Sequence, residues 1–150
     1  MIYIKTGEKQ DMTVFTTSFT AQSKGFSDII DITGEVANAV ARRGQMEGFS
    51  LVFVPGSTAG ITTIEYESGV VSDLEGAIER LAPADIHYHH DARWGDGNGF
   101  SHVRAALLGA SFTAPFEGGR LLLGTWQQIV LIDFDNKPRQ REVIIQIHGE

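Results

Sequence analysis

Between Tyr88 and His102 the chain reads Tyr-His-His-Asp-Ala-Arg-Trp-Gly-Asp-Gly-Asn-Gly-Phe-Ser-His, gathering three of its five histidines, two aspartates and three glycines into one stretch. Imidazole is the side chain that moves protons near neutral pH and the commonest metal ligand. His90 and His102 flank a loop carrying Gly95, Gly97 and Gly99, whose backbone freedom lets the chain fold back and bring the two rings together. His102 is expected in the first turn of a helix that Ser101 caps. The positive end of that helix disfavours an imidazolium, leaving the ring as ligand, acceptor or base. The same exposed amides can hold a phosphate or carboxylate oxygen. The plainer alternative has His102 capping its own helix and His90 packed beneath the loop. Two histidines with Asp91, Asp96 and a glycine loop favour a site. His87 and His89 alternate with Tyr88 and His90 as on a strand and are expected to face elsewhere; His148 reads as a surface or interface residue.

A metal ion needs three or four converging ligands. His90 and His102, with Asp91 or Asp96 and with Glu65, are the candidates for a divalent metal, Mg or Zn, although no compact ligand motif is present. Gly56-Ser57-Thr58-Ala59-Gly60 offers hydroxyls and free amides between two strands, an arrangement that cradles anions. It is neither a P-loop nor a nucleophile elbow, because no Gly-Lys-Ser/Thr and no helix follow it. Glu65 is a candidate acid, base or ligand, or an ordinary exposed strand residue. Arg104, two residues beyond His102, is placed to neutralise a phosphate or else to lie on a solvated helix face. Trp126 can stack on a ring, and Gln127 can donate and accept; a buried structural Trp is the commoner outcome.

These residues need a scaffold. Residues 12–20 are β-branched and aromatic and predict a strand. Thr33 as N-cap, Val36, Ala39, Val40 and Arg43 at helical spacing, and Gly44 beyond them predict a helix, with Asp31 and Glu35 at its positive end. Phe49–Val54 reads as a buried strand ending at Pro55, and Ile61–Glu67 as the next. A second helix is expected over 71–81, capped by Ser72 with Glu75 completing the box. A third runs from Ser101 to Leu108. The remainder predicts a β-meander: 111–116, 120–124, 125–134 and 141–147, with turns at Glu117-Gly-Gly and Asp135-Asn-Lys-Pro. The expectation is one α+β domain over 1–150, mostly antiparallel sheets forming a sandwich or distorted barrel with three helices. Its sheet edges are expected to be covered by assembly with copies of itself.

Composition agrees with that class. A chain of 150 residues, 42% apolar and 21% charged, is long enough for one packed core. Its formal charge of −7 repels phosphate backbones and argues against nucleic acid as partner. With no cysteine there is no disulfide or thiolate site. The first residues lack a secretory signal and no apolar run can span a bilayer, so a soluble cytoplasmic protein without membrane association is expected.

Three segments together, Pro55-Gly-Ser-Thr-Ala-Gly-Ile-Thr-Thr-Ile-Glu, Tyr88–Arg104, and Leu108-Gly-Ala-Ser through Gly119-Arg-Leu-Leu-Leu-Gly-Thr-Trp-Gln-Gln-Ile, resemble the YjbQ-like family, also called secondary thiamine-phosphate synthase enzymes. The resemblance implies an α+β homotrimer with clefts between subunits. It also implies a weak or secondary synthase activity that joins a pyrimidine methyl diphosphate to a thiazole phosphate, releasing pyrophosphate, normally with magnesium. The family's polar positions fall on Thr58, Glu65, His90, His102, Ser111, Trp126 and Gln127. Ser57, Thr58 and Arg104 would surround the phosphate, and an aromatic pyrimidine would stack on Trp126 or Trp94. Many relatives carry a histidine after the proline where this chain has Gly56. A non-catalytic trimer binding a phosphorylated metabolite or metal, and a metal-dependent phosphate-ester hydrolase, are the alternatives.

Overall fold

A computed structural model describes residues 13–44 and 47–150. The strands are β1 (Thr13–Ser23), β2 (Asp28–Asp31), β3 (Glu47–Phe53), β4 (Ala59–Ile64), β5 (Ser111–Glu117), β6 (Arg120–Leu121), β7 (Gln128–Asp133) and β8 (Arg139–Gly149). The helices are α1 (Thr33–Arg43), α2 (Ser68–Leu81), α3 (His89–Trp94) and α4 (Gly99–Leu108). Five strands form one sheet in the order β1-β8-β3-β5-β6, and three form a second, β2-β7-β4. Every pairing is antiparallel. The α+β, antiparallel expectation holds, with four helices among the described residues rather than three. The expected first strand begins at Met12, which lies outside the described residues.

The three-stranded sheet is the middle layer, and β7 shows why. Ile129, Val130, Leu131, Ile132 and Asp133 are all fully buried, so both faces of the strand are covered. Strand side chains alternate between faces. Ile129 and Leu131 join Ile61, Val52, Val143, Ile145 and the α1 residues Val36 and Val40. Val130 and Ile132 turn the other way, to Ala105 of α4 and the half-buried Leu74 and Ile78 of α2. Each such aliphatic side chain taken from water contributes about 1.5–3 kcal/mol. The continuous apolar run in β7 is therefore a consequence of its place between two layers.

Helix ends depart from expectation in instructive ways. Thr33 is the first residue of α1, not its cap; its hydroxyl donates to Asp31 Oδ1 at 2.6 Å and accepts the Ile129 N–H at 2.9 Å. Asp31 Oδ1 also takes the Thr33 N–H, so the acid at the positive helix end behaves as predicted. Gly44 closes α1 in the left-handed conformation, φ 73°. Helix α2 begins at Ser68, three residues before the expected 71, and its cap lies five residues before Ser72. Glu67 caps it, accepting from the Gly69 and Val70 N–H groups at 2.8 and 2.5 Å. Those backbone bonds hold the Glu67 carboxyl below the usual glutamate range. In the meander, 125–127 is a turn that brings the Gln127 N–H to the Gly124 carbonyl, so β7 starts only at Gln128. Strand β8 is longer than expected, because all eleven of its residues pair with β1.

Candidate functional site

The histidine stretch is a helical hairpin. Residues 89–94 form α3, which Gly95 ends at φ 70°, and Gly97 at φ 66° reverses the chain into α4. The alternating, strand-like placement of His87 to His90 is thus overturned: the glycines that let the loop reverse also let the preceding residues close one helical turn. Gly99 is the tightest point of the hairpin. Its N–H donates to Asp91 Oδ1 at 2.8 Å, and a Cβ there would fall 2.5 Å from Tyr88 Cβ. The Tyr88 hydroxyl donates to the Pro83 carbonyl, and burial pushes this phenol up. Ser101 does not cap α4, which starts at Gly99. It is buried, and its hydroxyl donates to the Phe134 carbonyl at 2.6 Å, fastening the helix to the end of β7.

This hairpin brings His90 and His102 together, with ring centroids 4.3 Å apart and planes inclined at 46°. Asp96 Oδ1 lies 3.4 Å from His90 Nε2, where a carboxylate fixes the orientation of the ring. Both side chains keep access to solvent, at 31% and 47% of their surface. His87 and His89 form a separate edge-to-face pair at 5.3 Å, and the His148 ring stacks on Phe49 at 4.6 Å. Among the described residues, no three His, Asp or Glu side chains converge as a metal ion requires.

The main-chain carbonyl of Asp96 accepts from Asn136 Nδ2 at 2.8 Å, which leads to a second polar group that the spacing analysis missed. Asp133 and Asp135 are fully buried beside Arg139 and Arg141. Arg141 donates from Nε and Nη2 to the two oxygens of Asp133 at 2.8 and 2.6 Å, and from Nη2 to Thr58 Oγ1 at 2.8 Å. Thr58 in turn donates to Asp135 Oδ2 at 3.2 Å, which also accepts from Arg139 Nε at 2.8 Å. Burial pushes the Asp135 carboxyl up, but Arg139, Thr58 and the Asn136 N–H outweigh it and hold the group below the usual aspartate range. The sequence signal was the Asp-x-Asp that leads into Arg-x-Arg across the turn after β7. Spacing of two puts each pair on one face.

The other candidates divide. Thr58 lies in this network, buried, with its hydroxyl fully engaged; Ser57 beside it is exposed. Arg104 is not on a solvated face. It is 5% exposed, stacks over Phe100, and donates to the Ala82 carbonyl, Ser27 Oγ and Glu79 Oε2. Its work is to tie α4 to the end of α2, and none of that leaves it facing the histidines. Glu65 follows the far end of β4, whose near end pairs Ala59 with Asp133. Six residues of strand separate Glu65 from Ala59, about 20 Å, so one chain does not bring Glu65 to the histidine pair. Trp126 and Gln127 share that far end. Trp126 is 71% exposed rather than buried, and Gln127 Nε2 donates to Thr63 Oγ1 at 3.0 Å. Ser111 is exposed at the start of β5 opposite Phe53. Trp94 is exposed at the end of α3, under the Arg93 guanidinium.

The antiparallel two-sheet α+β scaffold is shared with solved structures. The family description "UPF0047 protein YjbQ-like" matches residues 17–150. The chain is 40% identical over 119 residues to a UPF0047 protein of Archaeoglobus fulgidus, spanning 79% of this chain and 90% of that one. To the UPF0047 protein YugU of Bacillus subtilis it is 36% identical over 123 residues, 81% and 90% of the two chains. A YbjQ-like protein of unknown function from Sulfolobus solfataricus superposes with a TM-score of 0.87 at 31% identity, over 93% of this chain and all of that one. A YjbQ/UPF0047 protein from Clostridium acetobutylicum gives 0.80 at 34% identity, over 87% and 98%. The chain belongs to the YjbQ/UPF0047 family.

Among the described residues, no helix is long and apolar enough to cross a membrane.

Proposed function

We propose that this protein is a small enzyme acting on a phosphorylated small molecule, with His90 and His102 as its acid/base groups or as ligands of a divalent metal, Mg or Zn. The observation that carries this reading is the 4.3 Å contact between the two rings with Asp96 beside His90. Two adjacent imidazoles, one backed by a carboxylate and both reachable from solvent, can pass a proton or hold a cation at a reacting group. The specific reaction is the one secondary thiamine-phosphate synthases are known for. The thiazole nitrogen attacks the pyrimidine methyl carbon, the C–O bond to the diphosphate breaks, and pyrophosphate leaves with that electron pair. The Gly56–Thr58 loop receives phosphate. For Glu65, Trp126 and Gln127 to serve the same site, a second copy would have to supply them, as in the homotrimer that the family resemblance implies.

Thiamine phosphate and pyrophosphate formation by the purified protein tests this directly. His102→Ala and His90→Ala should each lower kcat/KM about 100-fold or more with an unchanged unfolding temperature. Absence of product from the wild-type protein rejects the reaction, and full rates in both variants reject the histidines' part in it. The openness of His90 and Asp96 favours a second reading, a non-catalytic binder of a phosphorylated metabolite or metal. In that case the variants lose ligand affinity without any turnover to lose. Phosphate-ester hydrolysis abolished by a chelator would point instead to a metal-dependent hydrolase.

A further inference from the structure

We infer that Arg141, together with the backbone of the Gly56–Thr58 loop, forms the oxyanion-binding site of this protein and takes a phosphate group. Arg104, the cation that its sequence position suggested, has its guanidinium committed to Ala82, Ser27 and Glu79. Arg141 is held differently. Nε and Nη2 are occupied by Asp133 and Thr58, and Nη1 has no acceptor among the described residues. Gly56 lies over that nitrogen, for a Cβ built on it would sit 3.5 Å from Nη1. The missing side chain therefore leaves a slot above two uncommitted N–H groups. The backbone N–H groups of Gly56, Ser57 and Thr58 likewise have no acceptor among the described residues. Thr58 is 6% exposed, so one of these donors belongs to a buried residue. Two free N–H groups of a fixed guanidinium beside a loop with three further backbone donors are the chemistry that recognises phosphate.

The guanidinium is also preorganised. Asp133 is fully buried and grips it with two hydrogen bonds, and the Arg141 side chain is only 11% exposed. An anion arriving at Nη1 need not order a long side chain first, a cost that mobile surface lysines and arginines impose. Asp133 and Asp135 balance Arg139 and Arg141, so the site adds no net charge until its ligand binds.

The inference rests on the reading that the ligand carries a phosphate, and the test separates the two. Binding of inorganic phosphate to the full chain is measured by isothermal titration at constant ionic strength, with chloride as the balancing anion. The wild-type protein should bind saturably. Gly56→Ala puts a methyl against Nη1 without touching the Asp133 bridge, and it should weaken binding about tenfold or more at an unchanged unfolding temperature. Arg141→Lys, which cannot both bridge Asp133 and present a second nitrogen, should weaken phosphate binding likewise, with a lower unfolding temperature. Saturable phosphate binding that survives Gly56→Ala undamaged overturns this site and leaves the phosphate reading standing. No saturable binding by the wild-type protein sinks both.

Discussion

Replacing Arg141 with methionine is the most demanding test of how the two sheets are joined. Arg141 belongs to β8 in the outer sheet, while its partners Asp133 and Thr58 belong to the middle layer and the loop before β4. The substitution keeps most of the stem but removes three hydrogen bonds, two of them to a carboxylate with no solvent exposure. Asp133 would keep only the Asp135 N–H, at 3.0 Å. Breaking a buried pair by removing one partner costs about 3–5 kcal/mol, because the remaining charge is left uncompensated. For a chain of 150 residues each kcal/mol lowers Tm by about 2–4 °C, so the fall should be about 6–20 °C. Calorimetry and urea unfolding measure it. The double variant Arg141→Met/Asp133→Leu should recover most of the loss, since an apolar pair of similar volume removes the stranded charge. A loss below about 1 kcal/mol, as for an exposed pair, would refute the view that this bridge is buried and structural.

Acid should weaken the same region. The folded Asp135 pKa lies below its ordinary 3.8, so its contribution is fully present above that pH and is lost as pH falls through 3.8 toward the lower folded value; Asp135→Asn should flatten that limb of a stability–pH curve. Arg104→Met should destabilise by about 2–4 kcal/mol in urea unfolding, because Ala82 and Ser27 lose buried partners, yet should leave phosphate affinity unaltered. Gly60→Ala should cost about 1–3 kcal/mol by overpacking, since its Cβ would lie 2.6 Å from the Gly109 carbonyl oxygen and 2.7 Å from Leu108 Cδ2; an unchanged Tm would mean that α4 can shift freely off β4.

The histidine pair was legible in the sequence because glycines at 95, 97 and 99 prescribe a reversal, and a reversal between two imidazoles brings them together. Helix α3 was not. It is six residues long, too short for a hydrophobic period, and its shape comes from the hairpin rather than from propensity. Burial misled in both directions. Arg104 read as a phosphate contact because nothing local says that the neighbouring α2 ends within its reach, while the burial commonest for a tryptophan does not apply to Trp126, which sits in an exposed turn. Asp133 was expected at the end of a strand and Asp135 in the turn beyond it, and spacing of two there carries no hint of arginines arriving from another sheet. Glu67 was passed over as a cap because serine, threonine and aspartate usually hold that position. The existence of a strand within 125–134 and the antiparallel class needed no such long-range knowledge, for apolar content and turn residues are written locally.

Strand β8, last in the order of synthesis among the described elements, is not at an edge: it lies between β1 and β3. β3, β5 and β6 can pair as they emerge, but β1 cannot join them. β1 and β3 have no common partner until residues 139–149 arrive, and pairs such as Thr13 with Gly149 close almost the whole chain into one loop. Closure over such separations makes folding slow relative to helical proteins of this size. A ribosome-bound intermediate ending near Asp135 would carry an unpaired β1 and an open edge on β3, the species on which a chaperone or a neighbouring nascent copy would act.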